Sequence, residues 1–190
     1  MADERHRWLV KPGTRPDLDG IDPAGTPGAP RSKDDLEEAT EALVFTLADL
    51  QNRLWAESRR SVLLVLQALD AGGKDGTIRK VFTGVNPQGV KVSSFKAPTH
   101  HELAHDFLWR IHARVPGRGE IGVFNRSHYE DVLVARVEDL VPERVWRARY
   151  PAIRHFEENL AAEGTAIVKV YLHISSEEQA YIRYDSTDRS

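Results

Sequence analysis

Between Asp70 and Thr77 the chain reads DAGGKDGT, and this stretch carries the chemistry most easily named from residue types alone. It follows a continuous apolar run and opens a helical pattern. In that setting a glycine-rich turn presents backbone N–H groups to an anion, and the helix start adds positive potential. Gly72, Gly73 and Gly76 allow close backbone approach, Lys74 is placed to reach phosphate oxygens, and Asp75 and Thr77 line the same turn. Against the pattern G-x-x-x-x-G-K-[ST], Gly73 and Lys74 fit. Ala68 stands where the first glycine belongs and Asp75 where the hydroxyl residue belongs. Asp70 is unusual in such a turn, because a carboxylate repels phosphate unless a cation intervenes; it reads as a Mg²⁺ ligand or a general base. The bland alternative is a plain glycine turn joining strand to helix.

A second group follows another apolar run: Asn125, Arg126, Ser127, His128, Tyr129, Glu130 and Asp131. A polar residue at the end of a strand beside the first one faces metal and phosphates in phosphoryl-transfer proteins, which suits Asn125. Arg126 offers a fixed guanidinium fork. Glu130 is read either as a functional carboxylate or as the partner of Ser127 in a capping box. Further basic residues, among them Lys96, Arg110, Arg144, Arg147 and Arg149, are either solvated faces or phosphate contacts. Lys96 and Arg126 stand out because they follow strands at their carboxyl ends, and the arginines from 144 to 149 suit a mobile cover. A competing motif, His101-Glu102-Leu103-Ala104-His105, matches the zinc-hydrolase pattern H-E-x-x-H. Against it, Glu102 is due a capping role with Thr99, and no third ligand stands at the extended spacing.

These residues need a frame. Ser32 caps a helix predicted to run to about Glu57, with leucines at helical spacing. Strands are predicted at Ser61–Leu69, Val90–Phe95, Glu120–Phe124 and Ala166–His173. Helices are predicted at Thr77–Phe82, Thr99–Arg114, Ser127–Val137, a Pro151-interrupted stretch from Pro142 to Gly164, and a last one from near Ser175. A helix followed by four strand–helix units argues an α/β fold with a parallel sheet flanked by helices. Residues 1–31 read as an extended Pro/Gly-rich arm, 32–179 as the domain with a lid region at about 140–163, and 180–190 as a divergent tail.

The 190 residues suit one domain; 41% are hydrophobic and 29% charged, an ordinary globular mix. With 26 basic and 29 acidic residues the net charge is −3, which excludes a globally basic nucleic-acid coat. Zero cysteines removes thiol nucleophiles, disulfides and Cys-type zinc sites. The charged amino terminus and the short apolar runs predict a soluble cytoplasmic protein without membrane attachment.

Five ordered blocks, VLLVLQALDAGGKDGTIRKVFTGVNPQGVKVSSFKAPT, HDFLWRIH, GEIGVFNRSHYEDVLV, RYPAIRHFE and VYLHISSEEQ, closely resemble the polyphosphate kinase 2 family from about Leu36 to Gln179. The resemblance implies a P-loop kinase sheet with a helical lid. It also implies Mg²⁺-dependent phosphoryl transfer between inorganic polyphosphate and nucleotides. It matches Asp70 and Lys74 to the Walker A aspartate and lysine, and Asn125 and Arg126 to the Walker B pair. Many members carry Asp where Asn125 stands, so more of the cation binding falls to Asp70. FNRSHYEDV looks like the subgroup that phosphorylates AMP or ADP, and the family suggests dimers or tetramers.

After Gln179 the resemblance to the family stops abruptly, and AYIRYDSTDRS looks like a truncated or frameshifted end. The expectation is a family fold with impaired turnover, an exposed apolar edge on the fourth strand, and half the lid missing. The alternatives are an inactive remnant that binds polyphosphate or nucleotide, a partner of a full-length relative, and the zinc hydrolase.

Overall fold

The computed structural model describes residues 8–180. Helix α1 (Lys33–Glu57) starts where the Ser32 hydroxyl accepts from the Asp35 N–H, with Asp34 and Asp35 in the first turn, and it ends on Ser58 in a left-handed conformation. Strand β1 (Ser61–Ala68) follows, then α2 (Lys74–Val81), a 3₁₀ turn at Pro87–Gly89, and β2 (Val90–Ser94). Two single-turn helices, α3 (His100–Leu103) and α4 (Trp109–His112), lead to β3 (Ile121–Asn125). Helices α5 (Glu130–Val137) and α6 (Glu143–Ala162) precede β4 (Thr165–Leu172), and residues 176–180 are helical.

All strand pairs are parallel, in the order β2-β3-β1-β4. Every residue of β3 is buried, and Leu63, Val65 and Leu66 of β1 are nearly inaccessible, as continuous apolar runs in a parallel sheet require. Val132 of α5 with Ile153 and Phe156 of α6 closes the core over Leu63 and Phe124. The sheet therefore lines up the carboxyl ends of β1 and β3 side by side, with Leu66 opposite Asn125. β4 pairs with β1 along its whole length; on its far side no strand pairs with it among the described residues, and Val168, Val170 and Tyr171 are exposed there. Among the described residues, no helix is long and apolar enough to cross a membrane.

Four expected boundaries shift. The single helix over 99–114 is two short turns, because the Asp106 carboxylate accepts from the Leu108 N–H and restarts the chain in an Asx turn. Helix α2 begins at Lys74, not Thr77, so the lysine lies in its first turn. Helix α5 begins at Glu130 because the Ser127 hydroxyl accepts from the Tyr129 N–H instead of capping residue 130. Pro151 neither interrupts nor restarts α6, which runs through it. The missing N–H removes one backbone bond from a twenty-residue helix whose Ile153 and Phe156 are locked in the core.

Candidate phosphate-binding site

The turn leaving β1 is held by the Gly72 N–H donating to the Leu69 carbonyl (3.0 Å) and by two left-handed residues, Ala71 (φ 55°) and Gly73 (φ 75°). Gly73 is also the N-cap of α2 and gives it no side-chain cap, so the first-turn N–H groups of the helix lack an intrahelical acceptor. The Lys74 side chain folds back over the turn. Its Nζ donates to the carbonyls of Leu69 (3.2 Å) and Ala68 (3.4 Å), and the residue is only 7% exposed. Burial pushes its pKa down, and the Arg126 charge adds to that; Glu130, Asp70 and Asp75 oppose it.

Across from the turn, β3 ends at Asn125, whose Nδ2 donates to the Asp75 carboxylate (2.6 Å). Arg126 then takes a left-handed conformation (φ 62°), its N–H donating to the Leu66 carbonyl and its guanidinium to Asp70 Oδ1 (3.0 Å). Asp70, Lys74, Asp75, Asn125 and Arg126 thus form one cluster at the ends of β1 and β3. Glu130 belongs to the field around Lys74. The Thr77 hydroxyl is bonded to the Gly73 carbonyl (3.1 Å) within α2.

The remaining candidates lie elsewhere. Lys96 is exposed just past β2, and its carbonyl accepts from Arg110 Nη1 (2.8 Å). Arg110 is buried, pairs with Asp131 (3.3 Å) and lies over the Phe95 ring. Arg149 donates to the Asp131 carbonyl and lies over Phe107. Both arginines clamp the start of α5. Burial pushes the Asp131 pKa up against the pull of Arg110. In the HELAH segment, Glu102 and Thr99 form a complete capping box, and His105 lies beyond the end of α3 with its Nδ1 against the His101 carbonyl. Among the described residues, no group of three or more His, Cys, Asp or Glu side chains is placed to hold a metal ion.

Three features escape sequence reading. Gln179 Nε2 donates to the Asp70 carbonyl (2.6 Å), bringing the end of the described chain onto the turn. His173 meets the Ile21 carbonyl (3.3 Å), which ties the Pro/Gly arm to the residue after β4. Behind Arg126, the Glu157 carboxylate takes His128 Nε2 (3.3 Å) and the Tyr129 hydroxyl (2.7 Å) on one oxygen and Lys169 (2.8 Å) on the other.

Burial alone would raise the Glu157 pKa, but the bonds from His128, Lys169 and Tyr129 outweigh it and bring it to about 2. Burial and Glu157 together push Tyr129 up to about 12. Because the folded-state value of Glu157 lies below the ordinary 4.5, its contribution is present above about pH 4.5 and is lost as pH falls toward 2. On that basis the wild type should lose about 3 kcal/mol more stability than Glu157→Gln between pH 5 and pH 2. Urea titrations across that window check it; parallel curves for the two proteins would refute it.

The glycines give a separable test. A Cβ on Gly72 would run into Ala68 Cβ and the Leu69 carbonyl (2.7 Å), whereas one on Gly76 meets nothing within 4 Å. Gly76→Ala should therefore stabilise α2 by about 0.5–1 kcal/mol. Gly72→Ala should instead deform the turn and lower the melting temperature. Thermal melts read the two effects, and equal behaviour of the variants would refute this reading of the turn.

Comparison with known proteins places the chain. The family model described as polyphosphate kinase 2 matches residues 30–188, so the likeness does not stop at Gln179 as expected but runs on into the tail. The chain is 55% identical over 173 residues to the AMP/ADP-polyphosphate phosphotransferase of Meiothermus ruber, covering 91% of this chain and 65% of that protein. It is 49% identical over 160 residues to the ADP-polyphosphate phosphotransferase of Rhodopseudomonas palustris, covering 78% and 55%. The crystal structure of polyphosphate kinase 2 from Arthrobacter aurescens superposes with a TM-score of 0.89 at 42% identity, covering 97% of this chain and 66% of that one. The chain thus spans about two thirds or less of the length of these relatives. With the fold, the glycine turn and these likenesses in agreement, the chain belongs to the polyphosphate kinase 2 family.

Proposed function

We propose that this chain carries out polyphosphate-dependent phosphoryl transfer to AMP or ADP at the ends of β1 and β3. One observation carries the reading: the Lys74 ammonium is folded over the glycine turn, on carbonyls of the turn itself, with the Arg126 guanidinium reaching the same turn from β3. The α2 first-turn amides and Lys74 cradle the transferring phosphate, and Arg126 steadies the charge that develops on it. The anion competes with Asp70 for Arg126, so binding exchanges one ion pair for another.

The donor set also suits Mg²⁺, which takes one or two carboxylates and completes its shell with phosphates and water. Asp70, with Asp75 beside it, would hold the ion. When bound, the ion screens repulsion between the two phosphate groups. Asn125 holds Asp75 in place through its amide. The same proposal takes the protein as soluble, cytoplasmic and homo-oligomeric, a dimer or tetramer. The exposed Leu43, Phe45 and Leu50 on α1 favour assembly.

The test is direct. Purified chain with ADP or AMP, Mg²⁺ and polyphosphate should form the next higher phosphate, and ATP should be the poorer donor. Transfer no greater than that of Lys74→Met would overturn the activity. Tripolyphosphate binding without transfer would instead identify a binding protein.

A further inference from the structure

The turn that aims Arg126 is held from behind. Arg126 itself is in the left-handed region, which a long side chain adopts only where its surroundings over-determine it. Ser127 is wholly buried, its hydroxyl accepting from Gln67 Nε2 (2.8 Å) and from the Tyr129 N–H (3.2 Å). His128 is also wholly buried, and both it and Tyr129 close on Glu157 Oε1. Lys169 of β4 occupies Glu157 Oε2 and also donates to the Tyr129 hydroxyl (3.2 Å). Eight residues earlier on α6, about 12 Å along its axis, Arg149 grips the Asp131 carbonyl at the other end of the same turn. One helix therefore braces the 126–131 segment at two points, and one of them is a largely buried carboxylate that holds both His128 and Tyr129, close behind Arg126.

We propose that Glu157 is a positioning residue for Arg126: by holding His128 and Tyr129 it fixes the left-handed turn from which the guanidinium reaches the phosphate site, and so couples that reach to α6. The inference rests on the reading of Arg126 as a phosphate ligand. Glu157 serves the site without touching it. A network serving stability alone would act on melting and leave the anion affinity of the folded protein unchanged.

A double-mutant cycle decides, with tripolyphosphate binding by calorimetry on the full chain and thermal melts alongside. Glu157→Gln should weaken binding about fivefold in the wild-type background and less than twofold in the Arg126→Ala background, because its route of action is gone. Tyr129→Phe, which deletes one hydroxyl and keeps the ring, should follow the same pattern at about two- to threefold. It carries the cycle if Glu157→Gln does not fold. A lower Tm with unchanged affinity, or equal losses in both backgrounds, would overturn the coupling and leave the phosphate reading standing. Failure of the wild type to bind tripolyphosphate would remove the phosphate reading and the coupling with it.

Discussion

Replacing Lys74 by methionine should cut phosphoryl transfer by about 10²- to 10³-fold while raising the melting temperature. The two effects share a cause. The ammonium is nearly buried, its charged form disfavoured by burial and by Arg126, and its only direct partners among the hydrogen bonds described are two carbonyls at 3.2 and 3.4 Å. A charge buried in this way weakens the fold, and on the proposed function a bound phosphate would offset that cost. Methionine keeps the stem and drops the charge. Calorimetric melts, tripolyphosphate titration and a transfer assay on the two proteins check this. A lower melting temperature with unaltered anion affinity would make Lys74 a strut of the turn.

Asp70→Asn should change sign with magnesium. Without the cation, Asp70 is a carboxylate next to the proposed anion position, and it occupies Arg126 at 3.0 Å. Removing its charge should then tighten tripolyphosphate binding severalfold, since repulsion falls and the guanidinium is released. With Mg²⁺ present, the variant lacks the carboxylate proposed to anchor the ion, and the Mg²⁺ concentration needed for half-maximal transfer should rise at least tenfold. Titrations in chelator and in excess Mg²⁺ give the two signs. Weaker binding under both conditions would show that Asp70 serves only to shape the turn.

Local interactions were legible in the sequence and distant ones were not. The Ser32 cap, the glycine turn and the capping box at Thr99 all depend on residues within a few positions, and each stands at the residues read for it. The apolar runs placed the four strands within one or two residues. The break at Asp106 was hidden because its carboxylate competes with the helix for a backbone N–H. Arg110 and Arg149 read as loose basic residues because their common partner, Asp131, lies 21 and 18 positions away. Glu157 carried no signal at all, since its partners His128 and Tyr129 are 29 and 28 positions upstream.

The sheet order has a consequence for how the chain is made. β1 is an inner strand, yet its two neighbours are supplied much later; Ser61 meets Thr165 across 104 residues. At ribosomal speeds of about 5–20 residues per second, an apolar strand waits roughly 5–20 s for its last partner. Until both β3 and β4 have been made, Leu63, Val65 and Leu66 lack a complete sheet to enter, and loop closure over such spans is slow. Yield in a producing cell should therefore depend on chaperone supply and on growth temperature more than on the stability of the finished fold.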